Sequence, residues 1–526
     1  MAAFLKLLGE IYQNRSRCNL VHQKRPLVTL PRRSQVGTLF EKKSKSGGIR
    51  PQTRLGVEFA MTPLPLADRY SRFRDAVFSG VAETLPGFAE PMTEMELQSL
   101  WFSGAFGSEF TTTDGKAVRI ADFGVWNSGA GPDFNGCAIV IDGQTLRGDI
   151  ELDPDARDWE RHTHGANESF NRVVLHLFLH APEERFYTRN SAHHAVSQVL
   201  LQAGMLPEGI KPKRHLAEAR LGRCAVPLRD MDSSQVQSII ESAAQHRLEL
   251  KSKCLHRSVA AQGREQAIYQ ALAQTLGYRK NQQPFAILSQ RLPLKKITQL
   301  DAAKREAWLF GVSGFLESVR SDDTEPATRS YLRELWSEWW KLRSGVERWL
   351  DDHQLLRWKL NAIRPGNHPQ RRLGALAALL RSWSSIVIPL ADATRWSQAA
   401  WRESLLALTH DFWATHYTLL SETAERPVAL IGETRVQEML ANVAYPLLVP
   451  ERTRLWAEYL ELPALLDNQK VRRAVLRLFG EDPRSRDFTK KLHQQQGLLQ
   501  IYEDFCLEDG SACAGCPFPE RLKEWS

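Results

Sequence analysis

Between Trp126 and His176 the chain sets carboxylates and imidazoles at intervals that let them meet at one point. Asp133 follows a Gly-Pro pair at the head of one apolar run. Glu151 and Asp153 lie two residues apart on another, so on an extended strand they share a face. Asp133 joins them if the two runs pair in the right register. Carboxylates gathered in this way bind a hard divalent cation, Mg2+ or Mn2+, which can share its shell with a water or a phosphate oxygen. On that reading Asp133 and Glu151 are the metal ligands and Asp153 belongs to the catalytic set. The competing reading is a turn-capping Asp133 and a solvated strand face carrying Glu151 and Asp153. His176 lies inside the apolar run 173–179, where a histidine is ordinarily a satisfied core residue. Facing the carboxylates, it would serve as a general base or proton shuttle. His162 and His164 follow Asp158-Trp159 and are either loop surface or substrate-binding groups; a His-x-His beside carboxylates also suits a zinc or manganese hydrolase.

Short alternating runs at 117–120, 138–141, 145–152 and 172–179 predict a sheet of four or five strands that would hold these groups. Asp142-Gly143 is a hairpin turn that makes the middle pair antiparallel. Thr93 and Glu96 form a capping-box signature for a helix bearing Leu97, Leu100 and Trp101 on one side. After about residue 205, segments such as 233–250, 264–276, 302–317 and 328–349 carry helical apolar spacing. Trp336, Trp339 and Trp340 read as a buried helix stripe. The fold class is α+β: a mixed sheet flanked by helices over 61–205, a mainly α-helical region over 206–490, and a cysteine-bearing segment, 491–526, packed on it.

Charge narrows the partners. The net charge of +8 is concentrated in residues 1–60, where 12 Lys/Arg face only Glu10, Glu41 and Glu58; the rest is near neutral. That extension suits a nucleic-acid-binding arm, a transit peptide, or a disordered or over-extended start ahead of Met61. No apolar run is long enough to span a membrane, and seven scattered cysteines form no disulfide framework, so a reducing cytoplasm is expected. Nothing in the sequence fixes an oligomeric state.

Pro132-Asp133, a hairpin, then Glu151 resembles the PD-(D/E)XK phosphodiesterase core over about 90 residues. The resemblance implies metal binding by Asp133 and Glu151, with Glu96 as an additional acidic residue on the preceding helix. It departs where that core has lysine, for this chain has Asp153 there. A wider set of motifs comprises Trp101-Phe102, Phe123-Gly124-Val125-Trp126-Asn127, Ala130-Gly131-Pro132-Asp133-Phe134, Gly148-Asp149-Ile150-Glu151, Asp158-Trp159-x-x-His162-x-His164 and Asn171-x-Val173-x-Leu175-His176. With Arg364-Pro365-x-Asn367-His368-Pro369 and the cysteine tail, these motifs identify the chain as a member of the bacterial family called domain of unknown function 2851, over about residues 93–520.

Two further features carry chemistry. Cys506-x6-Cys513-x2-Cys516 has the spacing of three ligands in the cluster loop of the endonuclease III and MutY type of DNA glycosylase, with Leu522 where the fourth cysteine would stand. Cys224, then Cys254, then His493 are the candidates for a fourth ligand to zinc or an iron–sulfur cluster. Cys137, in an apolar run, reads as core. Arg364, Asn367 and Arg371 surround a helix start, where positive charge calls for an anionic substrate or an internal acidic neighbour. Three functions stand open. They are a metal-dependent nuclease or phosphodiesterase on nucleic acid, a non-catalytic nucleic-acid-binding scaffold, and a hydrolase of a small anionic substrate.

Overall fold

The computed structural model describes residues 64–78, 92–184, 186–206, 217, 219–317, 324–352, 354–465, 468–507 and 513–525. The basic stretch 1–60 lies outside them. Asp142 and Gly143 both take positive φ, 46° and 82°, the backbone that lets a two-residue turn join twisted strands. That turn connects β4 (Phe134–Ile141) to β5 (Gln144–Asp155) as an antiparallel pair, with Phe134 opposite Ile150. Asp133 therefore faces Glu151. The chain then crosses over to β6 (Val173–His180), which runs parallel to β5 with His176 beside Glu151.

β1 (Glu109–Thr111), β2 (Ala117–Asp122), β3 (Val125–Trp126) and β7 (Ser197–Leu200) complete a seven-stranded mixed sheet. Its order is β1-β2-β4-β5-β6-β7, with β3 also on β4. The strands beyond the expected four are β1, β3 and β7, too short to leave a readable period. Ile150, Leu152, Leu175 and Leu177 face the main core with Trp101 and Phe102. Alternate residues Glu151, Asp153 and His176 take the other face, which is also buried, beside a small cluster of Trp159, Phe170, Val173 and Val196. The solvated strand face considered from sequence is thus excluded for Glu151 and Asp153.

Helices of eight residues or more are numbered in chain order. Two flank the sheet in sequence, α1 (Pro65–Phe78) and α2 (Glu94–Phe102). The Thr93 hydroxyl of α2 accepts from the Glu96 amide, and the Glu96 carboxylate accepts from the Thr93 amide. The helical region contains α3 (Ser233–Gln262), α4 (Arg264–Leu276), α5 (Tyr278–Arg291), α6 (Ala302–Val312), α7 (Pro326–Leu342), α8 (Pro369–Arg381) and α9 (Trp383–Ala391). It continues with α10 (Gln398–Leu406), α11 (Gln469–Phe479) and α12 (Leu492–Tyr502). α3 is the organising element, with α1 and α12 packed along it. Sheet and helices share one hydrophobic core, and the described residues belong to one compact unit.

The tryptophan stripe is only partly a core. Trp339 is fully buried, with its ring over Gly311 of α6. Trp340 is 59% exposed and packs on Trp336 and under Arg343. One residue beyond Trp339 it sits about 100° further round the helix, off the face that α6 covers. α8 and α9 meet at 73°, α9 burying Trp383, Ile386, Val387 and Leu390 and leaving Ile388 exposed, and among the described residues no single helix is long and apolar enough to cross a membrane.

Candidate metal centre

The β5–β6 crossover places the histidines. Asp158 accepts from the Asp155 amide and starts a one-turn helix, Asp158–Arg161. Thr163 then turns left-handed, with φ 60°, between His162 and His164, which reverses the chain and lets both rings reach back to β5. Trp159, anchored by its indole N–H on the Arg189 carbonyl at 2.9 Å, packs against His164 and His176. Phe170 stacks on His164 at 4.0 Å between ring centres.

Asp153 is the meeting point. His162 Nδ1 lies 3.3 Å from its Oδ1 and His176 Nε2 lies 3.2 Å from its Oδ2. His164 Nε2 stands 3.2 Å from Glu151 Oε1. Ligand atoms of Asp153, His162 and His164 all fall within 4.8 Å of one another. None of the contacts at Asp153 Oδ2, His164 Nε2 and His176 Nε2 is aligned as a hydrogen bond, although all three atoms are buried. Buried polar atoms without partners are costly, and a cation held among Asp153, His162 and His164 would supply the partner that Asp153 and His164 lack.

The state of His176 follows from its neighbours. The Gln198 amide is satisfied when its nitrogen donates to the Phe186 carbonyl at 2.9 Å and its oxygen accepts from the Thr188 hydroxyl at 2.8 Å. The Thr188 oxygen, 2.7 Å from His176 Nδ1, then accepts the ring N–H. Nε2 is left with its lone pair toward Asp153, the orientation of a metal-bound histidine with a fixed outer-shell partner. Burial lowers the His164 pKa to about 4, so the His164 ring is neutral, as ligation requires.

A second group of charges adjoins the first. Asn127 fixes the Gly131-Pro132-Asp133 turn, donating from its side chain to the Pro132 carbonyl at 2.8 Å and from its amide to the Asp133 carbonyl at 2.7 Å. The Asp133 amide donates to Glu151 Oε2 at 2.9 Å. Asp133 Oδ2 accepts from the Leu152 amide at 3.3 Å, and Arg348 donates to its Oδ1 at 2.9 Å. Burial raises Asp133 to about 7 against the pull of Arg348, aided by the charges of Glu94 and Asp153. Burial, then Asp133 and Asp153, push Glu151 well above the usual carboxylate range.

The structure therefore brings together Asp133, Glu151, Asp153, His162, His164 and His176, with the roles redistributed. Asp133, expected as a metal ligand, spends both oxygens on protein donors, and the convergent donors are Asp153 and the histidines. Glu96 is committed to its capping box; the charge from α2 that acts on Asp133 is Glu94. The cation that meets Asp133 is Arg348. It comes from the helical region 215 positions beyond Asp133, and no sequence signal marks it. Thr188 and Gln198 were equally unmarked.

Arg371 does not serve a substrate. It is buried, donating to the His416 and Val428 carbonyls at 2.7 and 2.6 Å and to that of Trp413. Its two terminal nitrogens meet backbone carbonyls at the ends of other segments rather than an anion or an acidic side chain, while its Nε has no hydrogen-bond partner. Asn367 accepts from Arg372, and the helix that follows it is capped by His368. Arg364 and Asn367 line a separate cavity of about 1090 Å³ that contains none of the carboxylate–histidine cluster. Cys254 lines this cavity and His493 bonds the Leu460 carbonyl, whereas Cys224 stands with the tail cysteines.

The model of one family, "Protein of unknown function (DUF2851)", matches residues 94–461. The match takes in the sheet and most of the helices and ends before the cysteine tail. No curated protein and no solved structure matches the chain.

Proposed function

The chain belongs to the DUF2851 family of proteins of unknown function, and we propose that it is a divalent-metal-dependent phosphodiesterase with Asp153, His162 and His164 as metal ligands and His176 completing the shell. The observation that carries this reading is the convergence of ligand atoms of Asp153, His162 and His164 within 4.8 Å of one another, with Asp153 Oδ2 and His164 Nε2 buried and without hydrogen-bond partners. A nitrogen-rich set favours Mn2+ or Zn2+ over Mg2+. Bound there, the cation would polarise a phosphoryl oxygen and lower the pKa of a water. Glu151 Oε1, beside His164, is placed to accept the proton of the attacking water. Asp133 positions Glu151 through its amide, and Arg348 holds Asp133. The phosphodiester class is supported by the Pro132-Asp133, hairpin, Glu151 arrangement.

A second reading, hydrolysis of a small anionic ester, is favoured by access. His162 is 47% exposed while His164 is 13% exposed and Asp153 2%, which leaves a narrow approach. Metal titration and cleavage of plasmid, single-stranded DNA, RNA and a small phosphate diester by wild type, Asp153→Asn and His164→Gln test both. Wild type should bind Mn2+ or Zn2+ and cleave; the variants should lose activity at least about 100-fold. Activity on the small diester alone supports the second reading. Equal background cleavage by all three proteins would sink both, and absence of metal binding would leave a non-catalytic scaffold.

A further inference from the structure

Four of the seven cysteines, Cys224, Cys506, Cys513 and Cys516, lie in one neighbourhood around an apolar cluster that contains no strand residue. Gly222 lets the chain turn tightly against α11, since a Cβ there would lie 2.7 Å from the Arg477 carbonyl and 3.2 Å from Cys224 Sγ. Cys224 Sγ then lies 3.8 Å from that same carbonyl. The guanidinium of Arg477 donates to Cys513 Sγ at 2.6 Å and also bonds Cys506. Arg223, next to Cys224, grips the tail turn, donating to the carbonyls of Cys513, Ala514 and Cys516 at 3.3, 3.0 and 3.3 Å. Cys513 takes φ +78° within that turn. Cys224 and Cys516 are buried in one apolar cluster with Phe505, Phe518 and Trp525, and Cys506 packs against it.

We propose that Cys224, Cys506, Cys513 and Cys516 form a tetrathiolate site for a thiophilic metal centre, zinc or an iron–sulfur cluster. Three observations favour this over simple packing. Cys224 and the tail are about 290 positions apart, so their meeting is not a local accident of spacing. None of the four is in a disulfide. The Arg477 guanidinium points a cation at the sulfurs of Cys513 and Cys506, and the apolar cluster around Cys224 and Cys516 keeps water away. Thiolate sets of this kind select zinc or iron–sulfur centres, and four ligands close the shell, so the role is to fasten the chain's last segment to the turn before α3. Cys137 and Cys254 are elsewhere and serve as internal controls.

The test is zinc, iron and acid-labile sulfide content, with the visible spectrum, of the full chain purified without oxygen. Zinc with a featureless spectrum, or iron and sulfide with broad visible absorption, supports the site and identifies the metal. Iron and sulfide should vanish, or zinc should fall by one equivalent, in Cys224→Ser and Cys513→Ser; that amount should persist in Cys254→Ser and in Asp153→Ala/His164→Ala, which separates it from the centre on the sheet. Cobalt added to metal-stripped wild type gives a readout that needs no folded variant, because sulfur-to-cobalt charge-transfer absorption appears only with thiolate ligands. Reconstituted wild type with no metal beyond the Cys224→Ser level and no such band overturns the proposal.

Discussion

Thr188 touches no carboxylate of the site, yet it decides which nitrogen of His176 is basic. Thr188→Val removes the acceptor for the Nδ1 proton, releases the tautomer and should weaken Mn2+ or Zn2+ binding about 10- to 100-fold, with Thr188→Ser restoring it. Metal titration, together with nitrogen NMR of the His176 ring, checks this; unchanged affinity in a valine variant with a switched tautomer would refute it. At this scale the sequence exposed the ionisable residues, because carboxylates at i, i+2 and a His-x-His leave a pattern. It could not show Thr188, Gln198 or Arg348, common residue types whose importance comes from what lies across from them. The same blindness misassigned Arg371, since an arginine satisfied by distant carbonyls looks in sequence like one awaiting an anion.

Elements were legible where local chemistry settles them. Thr93 and Glu96 announce the start of α2, and Asp142-Gly143 fixes the hairpin whose register sets Asp133 opposite Glu151. Strands β1, β3 and β7 were missed because two to four residues carry no period. Trp340 misled because a stripe at i, i+3, i+4 is wider than the face α6 covers. Packing between helices also rests on close approach: a Cβ on Gly497 of α12 would strike the Ile240 carbonyl of α3. Gly497→Ala should therefore cost about 2–3 kcal/mol in urea denaturation, backbone being unable to step aside as a side chain can. Gly366→Ala, with nothing within 4 Å, should change stability by less than about 0.5 kcal/mol.

Over the whole molecule, charge pairs join segments far apart in sequence. Glu503 lies beside Arg247 of α3 at 2.7 Å and Lys470 of α11 at 3.4 Å. Burial would raise its pKa, but Arg247 and Lys470 outweigh that and hold it at about 2, against an ordinary 4.5. A depressed folded-state value means the stabilisation is complete above about 4.5 and disappears as pH falls toward 2. The Tm gap between wild type and Glu503→Gln should be wide at neutral pH and close through that window; a gap independent of pH would contradict the pairing. The α+β division was readable from the switch in hydrophobic period, but the shared core was not, because period reports which face is apolar and not what covers it.

Arg348 gives that shared core a temporal meaning. It grips the Gly129 and Gly131 carbonyls as well as Asp133, while Trp349 donates to the Asn127 carbonyl and Ser128 to that of Gly345. During synthesis the sheet's residues emerge long before residue 348, so a nascent chain holds the Asp133 turn without its counter-charge. Asp133 gains its counter-charge only when the helical region folds back, and a chain cut short ahead of Arg348 carries the same carboxylates without it.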